Sequence, residues 1–335
     1  GVFDEQNTLE AIPHLRTAFE RTPDQPGLLT LLYPFSEYHD FMEKDTKYSK
    51  NIFFIDWIIC NTINNGLPLN TVVNTDVFKK LYKDEMFKDT ILFVPTTLLT
   101  DDYYQLLQEF VADGGQVLFY GPVKNSCLQD MLNISSAQEL TGEFEFETFI
   151  DGDQLIRGEQ ASKIKHKSLV SAGGITEVLK EPGDKDTRVC ATVKQDGQKR
   201  VYALSRRCES WRGGTVAWVR GTLPFNTEGM SKLPERYSDK YTDGSLLTRW
   251  MLQEFGITFL QKKDNKNVKS GFTLVSRNDN AYFFSGYKFD STVEAQYQFP
   301  QGAPLMVASS AKIKNSQASY IFEKAFHYET RIFVK

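Results

Sequence analysis

Apolar positions along the chain follow two rhythms, and the change from one to the other divides the sequence. In the first half, short, nearly continuous apolar runs alternate with segments of helical period. LLTLLY (28–33) follows the breaker QPG (25–27) and suits an interior strand buried on both faces. Ile52, Ile55, Ile59 and Ile63 recur at spacings of three and four and predict a helix over 47–65, ended by Gly66 and Pro68. TVVN (71–74) predicts a second strand, VFKKLY the approach to a helix, and KDTILFVP (88–95) a third strand.

The stretch FVPTTLLTDDYYQLLQEFVADGGQVLFYG (93–121) carries the most explicit punctuation. Pro95 has no amide hydrogen and stops the ladder. Thr100 is placed to cap a helix whose first turn holds Asp101 and Asp102. Tyr103, Leu106, Leu107, Phe110 and Val111 form its apolar stripe, Gly114 and Gly115 turn the chain back, and QVLFY (116–120) supplies a fourth strand. The unit predicted is β–α–β.

Beyond Gly121 the rhythm becomes that of strands. EFEFETFI, ITEVL, RVCATV and RVYALSR fall between 141 and 210, with KQDGQK (194–199) as a turn between the last two. GGTVAWVRG (213–221) reads as another buried strand. DGSLLTRWMLQEFGI (243–257) reads as a helix capped by Asp243 or Ser245. From 271 to 335, FTLVSR, AYFFSGY, VEAQYQF, PLMVAS, SYIFE and HYETRIFVK are short strands separated by NDN, FDS and PQGAP, with little room for a crossover helix. The architecture predicted is an α/β fold: an open, mostly parallel sheet over 28–260, a β-rich insertion at about 141–210 before its last strand, and a small antiparallel β domain at 271–335. Residues 1–27 are a polar lead-in.

Composition narrows the function classes. A chain of 335 residues exceeds what one core usually serves, so two domains are expected. A net charge of −4 argues against a broad nucleic-acid surface, and the Lys-rich QKKDNKNVK (261–269) reads as a solvated linker. NIFFIDWIIC (51–60) is too short to span a bilayer and contains Asp56. GVFDEQNTLEA has neither the basic nor the apolar region of a signal peptide. Among Cys60, Cys127, Cys190 and Cys208 no CxxC pair occurs, and a Cys190–Cys208 disulfide is one option.

Candidate chemistry is sparse. GxGxxG, the Walker A segment and the GxSxG elbow are absent, and the four histidines lack metal-ligand spacing, so no catalytic residue, cofactor or metal is assigned. Open α/β sheets bind ligands beyond the carboxyl ends of their strands, where Glu37, His39, Asp40 and Thr96 could meet; the alternative is a polar rim that caps the sheet. The long connection 222–244 offers Phe225, Tyr237 and Tyr241 for a sugar ring or a partner, or serves as an ordered cover. Trp211 and Arg212 suit carbohydrate contact or a domain interface. His327, Glu329 and Arg331 share one face of the last strand, as a binding patch or an ion-pair network. Glu143, Glu145 and Glu147 share a strand face, as solvated edge charges or, on an enzyme reading, as glycosidase acids.

LLTDDYYQLLQEFVADGGQVLF (98–119) resembles the glutamine-amidotransferase-like, flavodoxin-like domain of β-galactosidases and related glycoside hydrolases. The resemblance extends over roughly 28–260, and the tail from GFTLVSRNDNAYFF onward is similar to the small β domain attached to such proteins. It implies an accessory domain that follows a catalytic barrel, is usually non-catalytic and often helps assemble the protein. The partners implied are a hydrolase domain or further copies of the chain, with an oligosaccharide as a possible ligand, in a secreted or periplasmic setting. True amidotransferases carry a nucleophilic cysteine at the sharp elbow. Here Pro95, Thr96 and Thr97 occupy the corner, Cys127 lacks flanking glycines, and the family's His–Glu pair is not recognisable, so amidotransferase activity is not expected. The rival expectations are a glycosidase using Glu37, Asp40 or the 143–147 acids, and a purely structural assembly module.

Overall fold

The computed structural model describes residues 25–44, 67–87, 89–97, 99–150, 163–166, 174–221, 245–263, 272–278, 281–287, 293–298, 306–308, 312–313, 320–322 and 329–334. The helix expected over 47–65 lies outside them. In chain order the first elements are β1 (Leu29–Tyr33), α1 (Phe35–Lys44), β2 (Leu69–Asn74), α2 (Thr75–Leu81), β3 (Ile91–Pro95), α3 (Asp101–Ala112), β4 (Gln116–Tyr120) and α4 (Ser126–Leu132). There follow β5 (Ile134–Leu140), β6 (Gly142–Thr148), β7 (Lys163–His166), β8 (Ile175–Leu179), β9 (Thr187–Gln195), β10 (Gln198–Arg206) and β11 (Thr215–Val219).

These strands build a nine-stranded sheet in the order β2-β1-β3-β4-β11-β10-β9-β6-β7, with β5 and β8 paired apart as an antiparallel ribbon. Pairing is parallel from β2 to β11 and antiparallel from β11 to β7. The fold is thus α/β on a mixed sheet. The insertion does not stand apart: β10, β9, β6 and β7 continue the sheet past β11.

Nearly continuous apolar runs in β1, β3, β4 and β11 follow from burial on both faces. Along β4, Leu118 and Tyr120 join one core with Leu31, Phe93, Ala217, Trp250 and Met251. Val117 and Phe119 join the other, with Phe78 of α2, Leu107 and Phe110 of α3, and Leu128 and Met131 of α4. Each fully buried Leu or Phe of this kind contributes about 1.5–3 kcal/mol against exposure.

Helix ends follow local chemistry, with one departure. Asn74 caps α2 by accepting from the Val77 amide at 2.7 Å, and Asn125 caps α4 by accepting from Leu128 at 3.0 Å. Thr100 holds the N-cap position of α3 without a side-chain cap; its hydroxyl instead donates to the Asp102 carboxylate, a charge-assisted bond. At the other end Gly114 turns the chain with φ +99°, and a Cβ on Gly115 would stand 2.6 Å from the Phe110 carbonyl oxygen. The double glycine therefore serves the turn at one position and close packing at the next. The KQDGQK turn has positive φ at both Asp196 and Gly197, as a tight hairpin requires.

Three expectations need correction. The helix expected over 243–257 is α5 (Ser245–Trp250), which tightens into a 3₁₀ turn, Met251–Phe255, and ends at Gly256 in the left-handed region. Asp243, one of its expected caps, lies outside the described residues. β structure resumes before 271: β12 (Thr258–Lys263) takes in the start of the Lys-rich segment, a composition that suits the edge of a sheet. The remaining strands are β13 (Phe272–Asn278), β14 (Ala281–Tyr287), β15 (Val293–Gln298), β16 (Met306–Ala308), β17 (Lys312–Ile313), β18 (Tyr320–Phe322) and β19 (Glu329–Val334). They form two antiparallel sheets, β12-β15-β18-β17 and β13-β14-β19-β16. Third, β6 is no edge strand: it lies between β9 and β7, so Glu145 stands opposite Lys194 and Lys163, and Glu147 reaches Lys199 at 3.9 Å. Cross-strand pairing of opposite charges accounts for the EFEFE pattern.

Candidate functional site

The carboxyl ends of β1 and β3 lie where the strand order reverses, the place at which open α/β sheets take ligands. β1 runs through Pro34 directly into α1, and β2 runs without a linker into α2. The first turns of the two helices are joined by side chains. Thr75 donates its hydroxyl to Glu37 Oε2 at 2.8 Å, and Ser36 donates to Asp76 Oδ2 at 2.6 Å. Tyr103 of α3 reaches the same group, and burial pushes its phenol pKa up. His39 and Asp40 are exposed, with the His39 ring edge-on to Phe35 at 4.6 Å between centroids.

Thr96 lies one strand over. Its amide donates to Tyr120 O at 2.9 Å and its carbonyl accepts from the Tyr104 hydroxyl at 2.8 Å. Burial raises the Tyr104 pKa far above that of a free phenol. Thr96 and Thr97 are 9% and 8% exposed, and among the described residues neither hydroxyl has a hydrogen-bond partner. The corner is held by its backbone.

At the carboxyl ends of β4 and β11 the insertion closes over the sheet. Arg220 follows β11 and Glu177 belongs to β8; each side chain is 1% exposed, and Arg220 Nε lies 3.1 Å from Glu177 Oε1 and 3.2 Å from Oε2. Glu177 also accepts from the Val123 amide at 3.1 Å and the Thr176 amide at 2.9 Å. Arg220 also donates to the Gly174 and Gly221 carbonyls at 2.8 and 3.1 Å. Sequence reading missed this pair. A signal was present in ITEVL, where Glu177 shares a strand face with the fully buried Ile175 and so demands a partner. Nearby, burial and then the Arg220 charge hold the Lys124 pKa below its ordinary value.

The other candidates do not converge on this crevice. Trp211 and Arg212 precede β11 at the amino ends of the parallel strands, the opposite end from Thr96. The Arg206 guanidinium lies 5.7 Å from the centre of the Trp211 ring, and Arg212 pairs with Asp113 at 3.1 Å on the surface. Glu329 and Arg331 occupy alternate positions of β19, opposite Gly286 and Phe284. Phe225, Tyr237, Tyr241 and His327 lie outside the described residues. Cys127, Cys190 and Cys208 are free, so the optional Cys190–Cys208 bridge is not formed. Cys190 sits fully buried in β9, and its burial pushes the thiol up to about 12. Among the described residues no three His, Cys, Asp or Glu side chains are grouped to hold a metal ion, and no helix is long and apolar enough to cross a membrane.

No family model and no curated protein matches the sequence. Among solved structures, the chain is similar to a β-galactosidase from Rahnella sp. R3, at 8% identity and a TM-score of 0.44 over 99% of this chain and 45% of that one. It is similar to a β-galactosidase from the psychrophilic Marinomonas ef1, at 13% identity and a TM-score of 0.43 over 96% and 42%. It is also similar to an exo-β-1,4-mannosidase from Opitutaceae bacterium strain TAV5, at 12% identity and a TM-score of 0.39 over 64% and 34%. The chain spans less than half the length of each.

Proposed function

We propose that this chain is an accessory module of a carbohydrate-active, glycoside hydrolase-like protein, built to hold and connect and not to cleave. The observation that carries the reading is the Glu177–Arg220 clamp: the carboxylate at the end of β4 and β11 is sealed from solvent and committed to an arginine and two backbone amides. Glu177 so committed serves as a structural acid at that end of the sheet; the acids of the enzyme reading, Glu37, Asp40, Glu143, Glu145 and Glu147, lie elsewhere and are left to the test below. Support also comes from Thr96 and Thr97 at the corner where an amidotransferase elbow would carry its thiolate, and from the resemblance of 98–119 to the glutamine-amidotransferase-like domain of such hydrolases. On this reading the α/β part, ending before β12, and the antiparallel β part from Thr258 onward act beside a hydrolase domain or between copies of the chain, in a secreted or periplasmic setting.

The test is a hydrolytic screen of the 335-residue chain against aryl β-galactosides, β-mannosides and β-glucosides. The expected result is no turnover. Turnover abolished by Glu37→Gln, Asp40→Asn or a change among the 143–147 acids would replace this reading with that of a glycosidase.

A further inference from the structure

The antiparallel part meets the α/β part at two separate places. The first is a joint of two residues, Gly256 and Ile257, between the 3₁₀ turn that ends at Phe255 and β12, which begins at Thr258. Both are hydrogen-bonded back: the Gly256 amide donates to Gln253 O at 3.0 Å and the Ile257 amide to Leu252 O at 3.1 Å. Ile257 is buried in the core that holds Trp250, Met251 and Leu252, and β12 touches both α5 and the 3₁₀ turn. The second place is remote in sequence. β13 lies against β2, and its Val275 is fully buried in that same core with Leu67 and Leu69. Each antiparallel sheet thus sends one strand to the α/β part: β12 from one, β13 from the other.

We infer that the β2 end of this core is an interface whose partner is β13 of the same chain, and that the seam of Ile257 and Val275 makes the two parts one rigid, cooperatively folding body. Domains joined by a flexible linker and a small polar interface move relative to one another by default. Here the joint is short and hydrogen-bonded, and the seam is apolar. Parting it would return Ile257 and Val275 to water, against a free energy that grows with the apolar area exposed. With both sheets anchored, neither has a way to swing on the joint alone. A part that must open the other's core in order to leave it unfolds together with it. Such a seam is independent of whether the chain connects or cleaves. In a connecting module it fixes the angle between the groups connected.

The experiment is urea unfolding of the full chain followed by two probes. Trp57, Trp211, Trp218 and Trp250 all precede β12, so tryptophan fluorescence reports the α/β part alone. Hydrogen exchange read by mass spectrometry on peptides from β14 and β19, which pair with each other, reports the antiparallel part. In the wild type the two midpoints should coincide. Val275→Ala should lower the folding equilibrium constant about tenfold and move both midpoints down together, although no tryptophan lies in the part it belongs to. Ile257→Ala, on the joint, should do the same. Wild-type midpoints that differ overturn the inference without recourse to any variant. So does a folded Val275→Ala in which β14 and β19 lose protection at lower urea while the fluorescence midpoint stays where it was; the two parts are then independent domains. Hydrolysis of glycosides by the chain would end the accessory reading and leave the seam untouched.

Discussion

Arg220 and Glu177 form a buried ion pair across 43 residues of sequence, tying the end of β11 to the strand β8 that the insertion lays over it. Removing one partner leaves the other charged and dry. Arg220→Met and Glu177→Leu should each cost about 3–5 kcal/mol in urea unfolding. The double variant should recover part of that loss, and only part, because the Gly174 and Gly221 carbonyls would still lack the guanidinium. Additive losses in the double variant would show that the pair is not coupled.

A second network, partly exposed, sets an acid limit. Asp184 accepts from the Thr187 hydroxyl at 2.7 Å and the Asp186 amide at 3.1 Å, and Arg206 stands 3.3 Å away. The Thr187 bond first, then the Asp186 amide, holds the Asp184 carboxyl below its ordinary value. The folded pKa thus lies under the unfolded one, so below about pH 4 the unfolded chain binds more protons and stability falls as pH falls. Melting temperature measured across this window should drop less steeply in Asp184→Asn. Some slope should persist, because Asp102 is likewise lowered by Thr100 and Lys79. An unchanged slope would remove Asp184 from the account.

How legible these features were in the sequence depended on whether burial left a local mark. β1, β3, β4 and β11 were plain because burial on both faces writes a nearly continuous apolar run, broken in β1 only by the buried Thr30. The Asp196–Gly197 turn was plain because only such residues tolerate its backbone. β5, ISSAQEL, was not: it is buried only at its ends, and its pairing with β8 shifts register between Ser136 and Leu140. Of the candidate site, Glu37, His39, Asp40 and Thr96 were placed at the rim from strand order alone. Arg220 and Glu177 were missed because a partner 43 residues away writes no spacing into the chain.

The thiols give a kinetic prediction. Cys190 is buried in β9, and its pKa is pushed up to about 12, so almost no thiolate exists near neutrality. Cys127 and Cys208 are raised too, by partial burial, but retain exposure. Brief iodoacetamide treatment of the native chain at about pH 8, read by site-resolved mass spectrometry, should label Cys127 and Cys208 and spare Cys190 until denaturant is added. Labelling of Cys190 at the rate of the others would mean that β9 opens.

The Thr96–Thr97 corner tests whether the bend after β3 holds shape or does chemistry. Both hydroxyls are buried without a partner among the described residues, a state that costs free energy and that an apolar side chain of equal size would relieve. Thr96→Val and Thr97→Val should therefore leave the unfolding free energy measured in urea unchanged or raise it, by up to about 1 kcal/mol each. The main-chain bonds of Thr96 to Tyr120 and Tyr104 are untouched by the change. A loss of stability in either variant would mean that its hydroxyl is bonded in solution, to water or to a ligand, and the corner would then have to be read as a site.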